Sequence, residues 1–200
     1  MRYFALLLTF SGSLFLPSAA LADEEEAKEV GEIRALYAKI SQAEPSKTDT
    51  IEFEIQDDPM SGTITRRSYE GGLSAIKLSY TAGDHGGSDQ NFYYDGKGLF
   101  FILVQDSSWQ FAEGSTDEKP KTKDTLTETR YYIWEGKIIQ ALKRSATSDD
   151  PAKLRLLLEK AENTEFKPKD EEDGYLLKRA EFLKSAAKKE EAVKYFSKEK

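Results

Sequence analysis

The chain of 200 residues contains no cysteine and a single histidine, His85. Without cysteine it cannot hold a disulfide framework, a cysteine-based zinc site or a thiol nucleophile. One histidine also argues against a multi-histidine metal site and against a histidine-based catalytic triad. We therefore expect no metal, no cofactor and no catalytic residue, and the composition favours a non-catalytic protein over an enzyme.

Long apolar runs are confined to the N-terminus, where residues 4–16 form the only one. This run is shorter than the roughly 20 residues that a membrane-spanning helix needs. Arg2 precedes it and Ala20-Leu21-Ala22 follows it, which is the order typical of a secretory signal peptide. We predict cleavage between Ala22 and Asp23, so that the mature protein is soluble, periplasmic or secreted, and bacterial, with no membrane insertion after signal removal.

Negative charge is concentrated in the body of the chain. Residues 23–150 carry a formal charge of −10, whereas residues 151–200 carry +2. An acidic body disfavours nucleic acid and anionic membrane surfaces as partners. The paired glycines at 71–72 and 86–87 are not followed by the lysine and helix of a phosphate-binding loop. The partner is therefore expected to be an unknown protein or a small-molecule ligand.

The periodicity of apolar residues changes twice along the chain. It is helical from Asp23 to about Ala43, alternates from Thr48 onward, and becomes helical again at Asp150-Pro151. This predicts an α+β fold with an N-terminal helix, an antiparallel β-meander or half-barrel of about 7–8 strands, and a C-terminal helical pair. Residues 82–90 are expected to form a glycine-rich loop.

We divide the chain into a signal peptide over 1–22, a helix plus antiparallel β-meander domain over 23–148, and a C-terminal helical appendage over 149–200. Within the appendage, the end of the segment over 188–200 is expected to fray. The sequence leaves open whether the C-terminal helices pack on the sheet or project from it towards a partner.

Three predicted turns share one pattern, in which an aromatic residue precedes an acidic residue and a glycine. An acid-glycine pair supplies the positive φ angles that a tight hairpin requires. The turns resemble the Y-x-[DE]-G-K-[LI] hairpins of MORN-variant repeat proteins and of uncharacterised exported bacterial proteins. The resemblance implies a hairpin topology and no particular activity. The three segments are Tyr69-Glu70-Gly71-Gly72-Leu73, Tyr94-Asp95-Gly96-Lys97-Gly98-Leu99 and Trp134-Glu135-Gly136-Lys137-Ile138.

Two patterns raise the question of hydrolysis. Gly83-Asp84-His85-Gly86-Gly87 is similar to the G-D-S-G-G segment of trypsin-like serine proteases, but histidine replaces the nucleophilic serine and no second histidine remains as a base. The sequence therefore excludes a serine protease of this type. Glu52 and Glu54 are the kind of carboxylate pair that glycosidases use, but they alternate with apolar residues and are expected to face solvent.

Aromatic residues are concentrated in the predicted sheet, where 13 of the 23 lie between Phe53 and Trp134. Strict alternation cannot bury all of them on one face. We predict that Tyr93, Trp109, Tyr131 and Ile133, or their opposite-face neighbours, form an exposed platform for a ligand or partner. The alternative is that the terminal helices cover this second face and complete an ordinary core.

Three functional interpretations follow. The first is an exported, non-catalytic binding or protein-interaction module that uses the aromatic face or the C-terminal helices. The second is a carrier or an enzyme inhibitor, in which the curved sheet holds an apolar molecule or blocks an enzyme. The third is a hydrolase that works with carboxylates alone, which would require two acids in one cleft.

Overall fold

A computed structural model describes residues 18–56, 60–84 and 86–198. Most of the predicted signal peptide, together with residues 57–59 and His85, lies outside these residues. The helices are α1 (Ser18–Gln42), α2 (Pro151–Lys160), α3 (Asp170–Ser185) and α4 (Lys189–Phe196). The strands are β1 (Lys47–Glu54), β2 (Met60–Ser68), β3 (Ser74–Ala82), β4 (Gly86–Tyr94), β5 (Leu99–Phe111), β6 (Thr122–Trp134), β7 (Lys137–Ser148) and β8 (Thr164–Glu165).

The strands form one open, fully antiparallel sheet in which each strand pairs with the next along the chain, from β1 to β8. This confirms the predicted α+β fold, with a meander between an N-terminal helix and C-terminal helices. The short β8 was not expected from the sequence. It pairs only through Thr164 and Glu165 with residues of β7, and two residues are too few to show alternation.

Helices pack on both faces of the sheet. The face that we call the α3 face carries α3 and α4 on a row of apolar side chains from β2 to β6. The opposite face, the α1 face, packs α1 against aromatic residues of β5 and β6. Fully buried residues of the first face are Ile64, Leu78, Phe92 and Ile102. The buried residues that α1 contributes to the second face are Val30, Ile33 and Ile40.

The C-terminal helices complete the core of the α3 face. Phe196 of α4 is 2% exposed and stacks on Phe53, with ring centroids 4.8 Å apart. The Arg66 guanidinium donates to the main-chain oxygens of Leu183 and Ala186 at the C-terminal end of α3, where the helix dipole favours a positive charge. Phe196 thus anchors α4 among aromatic rings, and the last two residues of the segment whose end was expected to fray lie outside the described residues.

The expected glycine-rich loop over 82–90 is also wrong, since β4 begins at Gly86. Its inward-facing residues Ser88 and Gln90 are polar, so the strand shows no apolar alternation. Both are satisfied inside the protein: Gln90 Nε2 donates to Ser88 Oγ at 3.2 Å and Arg179 Nη1 donates to Gln90 Oε1 at 2.8 Å. A Cβ atom on Gly86 would lie 2.4 Å from the Ser107 carbonyl oxygen, so this glycine permits close pairing of strands.

The three turns with the shared pattern lie at one end of the sheet, which we call the turn end, because alternate connections of a meander fall at the same end. In the β6–β7 turn, Glu135 and Gly136 have φ angles of 49° and 76°, as a type I′ hairpin requires. In the β4–β5 turn the positive φ falls on Gly98 and not on Gly96. There the Asp95 carboxylate accepts hydrogen bonds from the backbone N–H groups of Lys97 and Gly98.

Candidate binding sites

The four residues of the predicted aromatic platform do not share a surface. Tyr131 and Ile133 are buried in the core of the α3 face, with exposed fractions of 7% and 1%. Tyr93 lies on the α1 face, where its ring meets that of Tyr37 edge-on at 5.2 Å. Trp109 lies near the far end of β5. The exposed platform of these four residues is therefore wrong, and helices cover the sheet where Tyr93, Tyr131 and Ile133 lie.

Burial has a chemical consequence for two tyrosines of β4. It raises the pKa of the Tyr93 phenol, and the nearby Tyr37 and Tyr69 add to this rise. It also raises the pKa of Tyr94, whose hydroxyl donates to the Ala180 carbonyl oxygen at 3.0 Å. Both phenols therefore stay protonated at neutral pH and act as parts of the core.

An apolar cavity of about 790 Å³ lies at the turn end of the sheet, between α1 and α3. We call it the turn-end cavity. Two of the three patterned turns line it, because the β4–β5 and β6–β7 hairpins project between the two helices. Its apolar walls are Ile33, Leu36, Leu99, Phe100, Ile133, Trp134 and Leu177. Among the four predicted site residues, only Ile133 lines this cavity.

The rim of the turn-end cavity carries charges of both signs, with two lysines and three carboxylates. The Lys97 ammonium lies 5.4 Å from the centroid of the Trp134 ring, a distance at which the ring attracts a cation. The rim therefore offers partners for both charges of a zwitterion beside an apolar interior. The charged residues are Asp95, Lys97, Glu135, Lys178 and Glu181.

A second cavity, of about 600 Å³, is polar and lies on the α1 face between the strands and α2. We call it the polar groove. Side chains from β2 to β7 form its floor, and Arg155, Leu158 and Glu159 of α2 form a wall. The floor residues are Ser61, Thr63, Ser79, Thr81, Asp89, Gln105, Ser107, Leu126, Glu128 and Arg144.

Glu128 is the most buried of these floor side chains, with the residue 5% exposed. Its Oε1 accepts hydrogen bonds from Arg130 Nε at 2.9 Å and from Arg144 Nε at 2.9 Å. Its Oε2 accepts from Gln105 Nε2 at 2.9 Å. Both carboxylate oxygens are therefore used to hold β5, β6 and β7 together, which is a structural role and not that of a general acid or base.

The other carboxylate on the floor of the groove is that of Asp89. It accepts a hydrogen bond from Ser79 Oγ at 2.5 Å and forms an ion pair with Lys77 at 2.8 Å. Glu52 and Glu54 are exposed on β1, as expected. The carboxylate pair that the sequence offered for hydrolysis is thus exposed on β1, and the two carboxylates of the groove floor are paired with basic side chains.

The sequence contained signals for both cavities. The turn-end cavity is lined by the patterned turns, but their pattern was read as hairpin geometry alone. Serine and threonine at alternate positions of β2 and β3 line the polar groove, but such alternation alone does not distinguish a groove from a plain solvent face. The sequence did not show where α1, α2 and α3 lie. These helices form the walls that make cavities at the turn end and on the polar part of the α1 face.

Over the described ranges, no group of three or more metal-ligating side chains is close enough to hold an ion. No helix in that same part of the chain is long and apolar enough to cross a membrane. No known protein family, curated protein or solved structure matches this chain.

Proposed function

We propose that this chain is an exported, non-catalytic binding protein that carries a small single-chain amphiphile with a zwitterionic headgroup in the turn-end cavity. The observation that carries the proposal is the cavity itself, with seven apolar side chains from four structural elements beneath a rim of both charges. Its volume of about 790 Å³ lies within the usual range for small-molecule sites.

Each part of the amphiphile has a counterpart in the cavity. The apolar chain displaces water from Leu36, Leu99 and Leu177, which are partly exposed, and gains about 25 cal/mol for each Å² of apolar surface removed from water. The headgroup stays at the rim, where Lys178 and Glu181 lie exposed on α3. A charged group placed deeper among the apolar side chains would lose its hydration without gaining a partner.

Export rests on the sequence of residues 1–22, which has the order of a signal peptide. We propose a non-catalytic protein because the groove carboxylates Glu128 and Asp89 already form ion pairs with basic side chains.

Fluorescence tests the proposal directly, because the chain has only two tryptophans and Trp134 lines the cavity. In a Trp109→Phe protein, Trp134 is the single reporter. We expect saturable changes in its emission when dodecylphosphocholine is added below its micelle concentration. Dodecanoate and dodecyltrimethylammonium, which share the chain and carry one charge each, should bind more weakly.

A pair of leucine variants separates the cavity from general effects. Leu177→Glu in the Trp109→Phe background introduces a charge into the cavity and should weaken binding at least about tenfold. Leu156→Glu changes an α2 residue that is 53% exposed and does not line the cavity, and it should bind like its parent. Equal binding by both variants, or no saturable signal in the parent, would contradict the proposal.

A further inference from the structure

The floor of the polar groove contains an unbroken row of paired polar residues across six strands. Thr63 pairs with Ser79, Ser79 with Asp89, and Asp89 with Gln105. The row continues from Gln105 to Glu128 and from Glu128 to Arg144. With strands about 4.8 Å apart, six neighbouring positions extend roughly 24 Å. Glu128 is buried, but the partly exposed positions from Thr63 to Gln105 span about 14 Å and can present polar atoms to an extended ligand.

A second row runs beside the first, nearer the opposite end of the sheet. It begins with Ser61 and Thr81, whose hydroxyls are 3.3 Å apart, and reaches Ser107 through Gly87. Because glycine has no side chain, the floor is low at Gly87. The two rows thus place hydroxyl groups along both sides of a shallow track.

The chemistry of these side chains favours a neutral ligand. Serine and threonine hydroxyls each donate one hydrogen bond and accept others, so they match a ligand that is itself rich in hydroxyls. The floor carboxylates Asp89 and Glu128 are already paired with Lys77 and with arginines. Neither carboxylate therefore presents an unpaired negative charge to a ligand.

Two aromatic residues follow the track on the same face of β5. Trp109 and Phe111 lie two and four residues beyond Ser107, and their rings meet edge-on with centroids 5.4 Å apart. Phe111 is 62% exposed. A flat aromatic face beside a line of hydroxyls matches a sugar ring, which has apolar C–H faces and a polar edge.

We infer that the polar groove binds a neutral oligosaccharide, with its hydroxyls on the rows of β2 to β5 and one ring against Trp109 and Phe111. This site is separate from the turn-end cavity and does not depend on it. The groove holds the sugar non-covalently, and the buried Glu128 network fixes the shape of the floor.

Amide chemical shifts of the ¹⁵N-labelled protein test the inference, with maltohexaose, cellohexaose, laminarihexaose and chitohexaose added at millimolar concentration. We expect at least one of them to shift the amides of Ser79, Gln105 and Ser107 and the Trp109 indole in a saturable manner. Dodecylphosphocholine should leave these signals in place, so that the two sites can be told apart.

Two threonines of β2 on the same face provide matched variants. Thr63→Val removes a hydroxyl from the groove and should weaken binding roughly three- to tenfold. Thr65→Val removes a hydroxyl that lies outside the groove, where it is 3.4 Å from the Thr50 hydroxyl, and binding should not change. The inference is overturned if none of the four sugars shifts these amides, if shifts occur only at the turn end, or if both variants bind alike.

Discussion

At the scale of single residues, the structure depends on a few charged groups whose partners lie far away in sequence. Glu128 is the clearest case, because one carboxylate joins three strands through Gln105, Arg130 and Arg144. Nothing in the local sequence distinguishes it from the exposed acids of this acidic chain. Its burial depends on the register of β5, β6 and β7, and the sequence pattern does not predict that register to the exact residue.

Replacement of Glu128 by glutamine should lower the free energy of unfolding by about 3 kcal/mol, because it leaves two guanidinium groups without their carboxylate. We place the loss at the lower end of the usual range because Arg130 and Arg144 are partly exposed. Urea unfolding measures the change. Glu52→Gln on the exposed side of β1 is the control and should stay within about 0.5 kcal/mol of the parent. Equal stability of the two variants would refute the structural role of Glu128.

A pH dependence follows from Glu191 at the start of α4. Hydrogen bonds from the backbone N–H groups of Ala187 and Lys188 hold the pKa of this carboxyl below its ordinary value. A carboxyl whose pKa is lower in the folded state stabilises the fold above its unfolded value, about 4.3, and loses this effect as the pH falls through the folded pKa.

The melting temperature of Glu191→Gln should therefore lie below that of the parent at pH 7, and the gap should close as the pH falls from about 5 towards 3. Thermal unfolding followed by circular dichroism across this range measures the gap. A gap that stays constant with pH would show that the charge on Glu191 has no part in the cap.

At the scale of elements, the hairpins were predictable and the polar strand was not. Acid-glycine turns and alternating apolar residues predicted the hairpins that join β4 to β5 and β6 to β7. Asp150-Pro151 predicted the start of α2, where the Asp150 side chain accepts a hydrogen bond from Ala152 N. The start of β4 was not predicted, because its buried residues Ser88 and Gln90 are polar and form hydrogen bonds within the core. The packing of α4 on the sheet was not predicted, because it depends on the contact of Phe196 with Phe53, which is distant in sequence.

Phe196 gives a test of α4 as part of the core. Phe196→Ala should destabilise the protein by about 3–5 kcal/mol, since it opens a cavity beside Phe53 in the α3 face. Phe111→Ala removes the same ring from an exposed position and should cost less than about 1 kcal/mol. Chemical denaturation compares the two. If Phe196→Ala is as mild as Phe111→Ala, α4 does not belong to the cooperative core.

At the scale of the whole molecule, helices at both ends of the chain decide which parts of the sheet stay open. α1 covers the aromatic half of one face, α3 and α4 cover the opposite face, and α2 stands beside the polar half. The openings that remain include the apolar turn-end cavity and the polar groove on the α1 face. The sequence predicted the layers but not these openings, because an opening depends on how helices distant in sequence are placed.

The central claim is that an amphiphile occupies the turn-end cavity. The most direct measurement uses a phosphocholine amphiphile with a nitroxide on its chain, added to the ¹⁵N-labelled protein below its micelle concentration. The account predicts that the nitroxide broadens the amides of Leu36, Leu99 and Leu177, which line the cavity, and spares Ser61 and Ser107 in the polar groove. Broadening confined to other surfaces, or none at saturating ligand, would contradict the account.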